Sequence, residues 1–198
     1  EKKFEDHIET HLNSVGYETT HYNDYDRNLC LIRDQVIKFI KTTQPEEWGR
    51  LSEIYDVDTE NKILSRISSE ISKRGIIDVL RNQVVDRGVY LNLYYPQPSS
   101  DMNPDHQRLY ESNKFTIVRQ LHYSTKNENS IDMGLFLNGL PIVTMELKNQ
   151  LTGQNVKHSE NQYRYDRDPK NEPLLQFKRC LVHFCVDNNK VSMTTRLE

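Results

Sequence analysis

Apolar residues recur at three- and four-residue spacings through the first third of the chain and at every second position further on, so the pattern predicts helices first and strands later. Phe4, Ile8, Leu12 and Val15 line one face of a first helix that Gly16 closes. A second helix is predicted over about Leu29 to Lys41. Pro45 opens a third, carrying Trp48, Leu51 and Ile54, and Ile63, Ile67 and Ile71 stripe a fourth that ends at Gly75. Val89 to Tyr95 alternates as a strand after Asp86-Arg87-Gly88. Ser99 to Pro104 reads as a loop, Asp105 to Asn113 as a short helix and Phe115 to Tyr123 as a strand. Two apolar segments then flank Asn138-Gly139. Asn155 to about Asp166 is polar enough for a surface helix, and Arg179 to Val186 and Val191 to Thr195 complete the strands.

The two segments around Asn138-Gly139 each carry acid in an otherwise apolar strand: Asp132 in the first, Glu146 in the second. Val143, Met145 and Leu147 fall on one face of the second strand, and Thr144, Glu146 and Lys148 on the other. A two-residue hairpin that pairs Leu137 with Leu140 throughout would set Asp132 opposite Met145 and put the two carboxylates on opposite faces. An odd loop or a bulge restores a common face. The expected form is a three-residue loop, Leu137-Asn138-Gly139, with Gly139 left-handed, leaving Met133, Leu135, Val143 and Met145 on the apolar side.

Composition narrows the class. The chain of 198 residues is 35% apolar, with eleven tyrosines and six phenylalanines, which suits one domain with a real core. Cys30, Cys180 and Cys185 lie in apolar contexts without a C-x-x-C pair and read as reduced core thiols of a cytoplasmic protein. No signal peptide and no apolar run long enough for a membrane span is present. The ends read as those of a fragment of a longer protein, with Glu198 expected to be vector-derived. The net charge of −3 is unevenly spread: residues 1–60 hold seven Lys and Arg against fourteen Asp and Glu, and the remainder carries +4. That balance suits DNA delivered by a partner or a larger polypeptide better than tight autonomous binding.

Asp132, Glu146 and Lys148 together are the parts of a metal-dependent phosphodiesterase: carboxylates for Mg²⁺ and a lysine for the charge growing on phosphate. An acid-x-Lys tripeptide is common. Glu1-Lys2-Lys3, Glu60-Asn61-Lys62 and Asp168-Pro169-Lys170 share it in polar surroundings, and only Glu146-Leu147-Lys148 ends an apolar strand. The bland alternative is an amphipathic edge strand, and Asp132 weighs against it. His7 and His11 are four apart, but Glu9 is misplaced for a zinc-protease motif, so they read as surface histidines. His122 reads as a hydrogen-bonded core histidine. There is no phosphate-binding G-x-x-x-x-G-K-[ST] loop.

Helix, acid-bearing strands, helix, strand is the order of the PD-(D/E)xK nuclease core. Arg119-Gln120-Leu121-His122-Tyr123, Ser130-Ile131-Asp132, Phe136-Leu137-Asn138-Gly139-Leu140-Pro141, Glu146-Leu147-Lys148-Asn149, Leu151-Thr152-Gly153-Gln154 and Asp166-Arg167-Asp168-Pro169 resemble the N-terminal nuclease domain of type I restriction enzyme R subunits. The start, with Glu5-Asp6-His7-Ile8-Glu9 and Thr43-Gln44-Pro45-Glu46-Glu47-Trp48, is similar to the same family. The resemblance implies an α/β fold with a restriction-endonuclease-like core: a mixed β-sheet flanked by helices, with an N-terminal helical portion, over a single nuclease domain spanning 1–198. It implies Mg²⁺ at Asp132 and Glu146, with Glu5 (or Glu9) from the first helix, and Lys148 and Gln162 as catalytic residues. Gln162 carries over from a Gln-x-x-x-Tyr motif more safely than Tyr163 or Tyr165, because the matching tyrosine position is Asp166. It also implies duplex DNA and the modification and specificity subunits as partners, with ATP used only by motor domains beyond this segment. Two readings compete with an endonuclease: a catalytically silent DNA-clamp or subunit-docking module of the same fold, and a stand-alone repair nuclease.

Overall fold

The computed structural model describes residues 2–100, 102–148 and 155–197. The fold is mixed α/β. A six-stranded sheet runs β1 (Glu18–Thr20), β6 (Phe115–His122), β7 (Ser130–Leu137), β8 (Leu140–Leu147), β9 (Val182–Val186) and β10 (Val191–Thr194) in spatial order. β1 is parallel to β6 and β8 to β9, and the other pairs are antiparallel. Helix α1 (Lys2–Ser14) lays Phe4, Ile8 and Leu12 on one face of the sheet, against Ile117, Met133, Leu135 and Met145. Helix α7 (Val156–Asn161) and the π-turn Gln162–Asp166 that extends it cover the other face through Val156 and Tyr163.

A third core is helical. It comprises α2 (Arg33–Thr43), α3 (Pro45–Tyr55), α4 (Thr59–Arg74) and α5 (Ile76–Asn82), with the hairpin of β4 (Val84–Asp86) and β5 (Val89–Leu91), and it meets the sheet at Leu140. Pro45 stands in the first turn of α3, and Gly75, at φ +89°, ends α4, as the sequence requires. The second helix starts later than its apolar spacing suggests. Asp26 accepts from the N–H groups of Asn28 and Leu29, Cys30 turns left-handed, and Leu31–Ile32 forms β3, paired with β2 (Tyr25–Asp26). The expected strand to Tyr95 stops at Leu91, because it pairs with the short β4 instead of joining the large sheet. Helix α6 (Pro104–Glu111) begins under an Asn103 cap.

The expected three-residue loop is not the one formed. Asn138 and Gly139 both have positive φ, +52° and +83°, the signature of a two-residue type I′ turn, and Leu137 faces Leu140. The register shift comes two residues later, as a bulge. Phe136 opposes Pro141, Leu135 opposes Val143, and Ile142 is the extra residue. Pro141 cannot donate to the ladder, which makes this the natural place for it to break. Asn149 and Leu151-Thr152-Gly153-Gln154 lie outside the described residues, as does Glu198.

Candidate active site

Below the bulge the strand register brings Met133 opposite Met145, which aims Asp132 at Glu146. Alternation along β8 puts Met145 and Leu147 into the α1-side core and turns Thr144 and Glu146 to the α7 side. Glu146 is only 1% exposed. Its Oε1 accepts from Arg167, whose guanidinium also donates to the Ser130 carbonyl (2.8 Å) and the Tyr123 hydroxyl (3.2 Å). Burial raises the Glu146 carboxyl to about 7. The Arg167 charge pulls it down and the Asp132 charge pushes it up, so burial outweighs the ion pair.

Asp132 sits where two strands lose their regularity. Its neighbour across β6 is Gln120, which is left-handed (φ +46°), and the ladder has no pair at that level. The irregularity also breaks the facing pattern. Ile117 and Met133 belong to the α1-side core, whereas Leu121 and Ile131 belong to the other. Freed from the pleat, the Asp132 carboxylate accepts the Leu147 N–H at 2.7 Å. It thereby ties itself to the residue between Glu146 and Lys148. Lys148 follows at the strand end, with its N–H on the Val186 carbonyl (2.8 Å), and its charge lowers Glu146. Lys148 is buried, 5% exposed.

The remaining residues are placed differently. Glu5 is buried on α1 and accepts from Arg119 (3.1 Å) and from Gln120 (3.0 Å), which also receives the Ser130 hydroxyl. Glu9 and Asp6 bind the same Arg119. Helix α1 covers the sheet face opposite Glu146, so Glu5 does not meet the acid pair; among the described residues no three His, Cys, Asp or Glu side chains gather in a metal-holding group. Gln162 ends α7, and its Oε1 is buried without a partner among the described residues. Tyr163 is buried, with its hydroxyl 2.8 Å from Thr144 Oγ1, and Tyr165 is exposed.

The histidines are redistributed. His7 and His11 are exposed, as expected. His122 is not a core residue; its ring lies 4.5 Å from that of Tyr22, tilted by 41°, and its Nδ1 is 3.1 Å from the exposed Glu128. The core histidine is His183 on β9. Its Nδ1 lies 2.6 Å from Thr144 Oγ1, and burial lowers its pKa to about 4. Arg167 is the site residue that motif reading did not single out. Its sequence signal is confined to Asp166-Arg167-Asp168-Pro169, and a basic residue in a polar loop does not announce a buried partner.

A cleft of about 1080 Å³ opens beside Arg167, between the π-turn and β9–β10. Arg164, Lys170 and Arg196 line it, with Glu160 and Asp168. The donor chemistry at Asp132 and Glu146 fits a hard divalent cation. Two carboxylates meet on adjacent strands, and one is driven up by burial and by the other's charge, so the pair calls for positive charge. Two protein ligands leave the rest of an Mg²⁺ shell to water and phosphate.

The model of one family, the N terminus of type I restriction enzyme R proteins, matches residues 1–198. The chain belongs to that family.

Proposed function

From that membership and the geometry of the site, we propose that the chain is a Mg²⁺-dependent endonuclease domain of the PD-(D/E)xK type. It hydrolyses phosphodiester bonds of duplex DNA within a cytoplasmic type I restriction-modification complex, alongside modification and specificity subunits. The observation that carries this reading is the buried Glu146 beside Asp132, with Lys148 at the same strand end. When bound, Mg²⁺ would supply Lewis-acid charge to the scissile phosphate.

Asp132 and Glu146 would hold the ion. The Leu147 N–H fixes one Asp132 oxygen, so that carboxylate is presented in a set orientation. Lys148 compensates the charge that grows on the phosphate oxygens in the transition state. Gln162 offers a buried acceptor without a partner among the described residues, at the end of α7, suited to orienting a nucleophilic water or a phosphate-bound group. The cleft beside Arg167, with Arg164, Lys170 and Arg196 on its walls, would take the DNA backbone. Among the described residues no helix is long and apolar enough to cross a membrane.

The test is nicking of supercoiled plasmid with Mg²⁺, comparing the wild type with Asp132→Asn, Lys148→Met and Lys62→Ala. We expect the first two to lose cutting and the last to keep it. Equal cutting by all four would assign the domain a scaffold role and place the nuclease elsewhere.

A further inference from the structure

The Arg167 guanidinium lies where positive charge is needed. It binds Glu146, the Ser130 carbonyl at the start of the Asp132 strand and the Tyr123 hydroxyl, and it stands 5.3 Å over the Tyr123 ring. Its side chain is 10% exposed and is drawn from the chain directly after the π-turn, with its own N–H on the Gln162 carbonyl at 3.0 Å. The guanidinium is held through its Nη atoms, and Nε is buried without a partner among the described residues, as is Nε of Arg179. What sets Arg167 apart is that it holds a carboxylate at the wall of a cleft. One side of Arg167 also forms a wall of the large cleft, shared with Glu160 and Asp168, so the guanidinium has space and acidic company to move into.

We propose that Arg167 is an internal stand-in for the divalent cation: it occupies Glu146 in the metal-free protein and yields that carboxylate when the ion binds. The inference rests on the metal site proposed above. It makes Arg167 a positioning residue and a competitor. Arg167 keeps two neighbouring carboxylates from facing each other uncompensated, and each metal-binding event must break its bond to Glu146. π-Turns of the kind that precedes it recur at functional sites, where a local departure from α-geometry re-aims the following residues. The exchange also ties metal binding to the cleft, because the released guanidinium adds its charge to the wall where DNA phosphate would lie.

Two measurements on the 198-residue chain test this. The first is calorimetric Mn²⁺ binding to the wild type, Arg167→Met and Asp132→Asn. Removing a charge-assisted competitor should tighten binding to Arg167→Met by about tenfold, while Asp132→Asn loses it. Equal or weaker binding to Arg167→Met would overturn the stand-in role and leave the metal site standing. No binding to wild type or Arg167→Met would overturn the metal site, and this inference with it. The second measurement needs no folded variant: ¹⁵N-arginine NMR of the wild type during Mg²⁺ titration. The Arg167 Nη signals should change from restrained to averaged as the ion binds, while those of the more deeply buried Arg179 stay fixed. Arg167 signals that remain restrained at saturating Mg²⁺ would overturn the exchange.

Discussion

At the scale of single residues, the site combines groups that each cost the fold something. Lys148 is buried with its charge beside Glu146, so truncation to alanine would remove packing as well as charge. Lys148→Met keeps most of the stem. It should lower the cleavage rate by about 10²–10³ with the fold retained, checked by plasmid nicking beside circular dichroism, with Lys62→Ala as the surface control. Glu146 predicts a pH effect. Its folded pKa, about 7, lies above the ordinary value of 4.5. Its contribution to stability is therefore full below the unfolded pKa and falls away as pH rises through the folded one. A shift of that size corresponds to roughly 3 kcal/mol. Glu146→Gln should match the wild type near pH 4.5 and exceed it increasingly toward pH 7.5 in urea melts. His183, lowered to about 4, has the opposite sign, losing its contribution as pH falls, but it is common to both proteins and cancels in the difference. A constant difference across that range would show that Glu146 does not titrate there.

At the scale of elements, the hairpin β7–β8 is set by its turn and corrected by its bulge. Gly139 is left-handed, and a Cβ there would lie 2.5 Å from the Ile32 carbonyl oxygen, whose residue donates its own N–H to Gly139. Gly88 has a similar φ of +81° but open space around it. Gly88→Ala should cost about 1 kcal/mol from backbone conformation alone. Gly139→Ala should cost more than about 2 kcal/mol, because backbone must move as well. Urea denaturation of the two variants measures the difference; equal costs would mean that β3 does not clamp the turn. Asn138 adds to the clamp, accepting the Lys114 N–H and donating to the Leu93 carbonyl. The turn thus locks the start of β6 and the helical portion to the strands that carry the acids.

At the scale of the whole molecule, the helical core and the sheet are joined by a few buried polar pins. Arg179, just ahead of β9, is 3% exposed and donates to the Ser68 carbonyl and to the Ser68 and Ser72 hydroxyls on α4, and to the Leu29 carbonyl. Arg179→Met should remove these bonds, although the Leu29 carbonyl keeps the Ser68 hydroxyl and the Ser68 carbonyl keeps the Ser72 hydroxyl, and it should cost roughly 2–4 kcal/mol. A pin of this kind couples the cores, so the wild type should unfold in one transition, and the variant should show the helical tryptophan, Trp48, separating from the far-ultraviolet signal. Coincident transitions in the variant would show that the apolar contacts at Leu140 and Leu181 suffice.

The sequence by itself determined most elements and showed which two acids interrupt apolar strands. Helical stripes at Ile63, Ile67 and Ile71, the Pro45 start, the Gly75 stop and the Asn138-Gly139 turn are local signals with local causes, and they survive in the fold because tertiary packing agrees with them. It also determined that Asp132 and Glu146 could share a face only if the pairing slipped, since the period of a strand is two. Tertiary structure decided how it slipped: Asn-Gly kept its preferred two-residue turn, and the register shift moved to Pro141–Ile142, where a proline had already removed a donor. It decided that Glu5 spends its charge on Arg119 and Gln120, that His183 and not His122 is the core histidine, and that Lys148 is buried. Above all it decided the place of Arg167. A charge's partner depends on which elements meet in three dimensions, and twenty-one residues of chain separate Arg167 from Glu146.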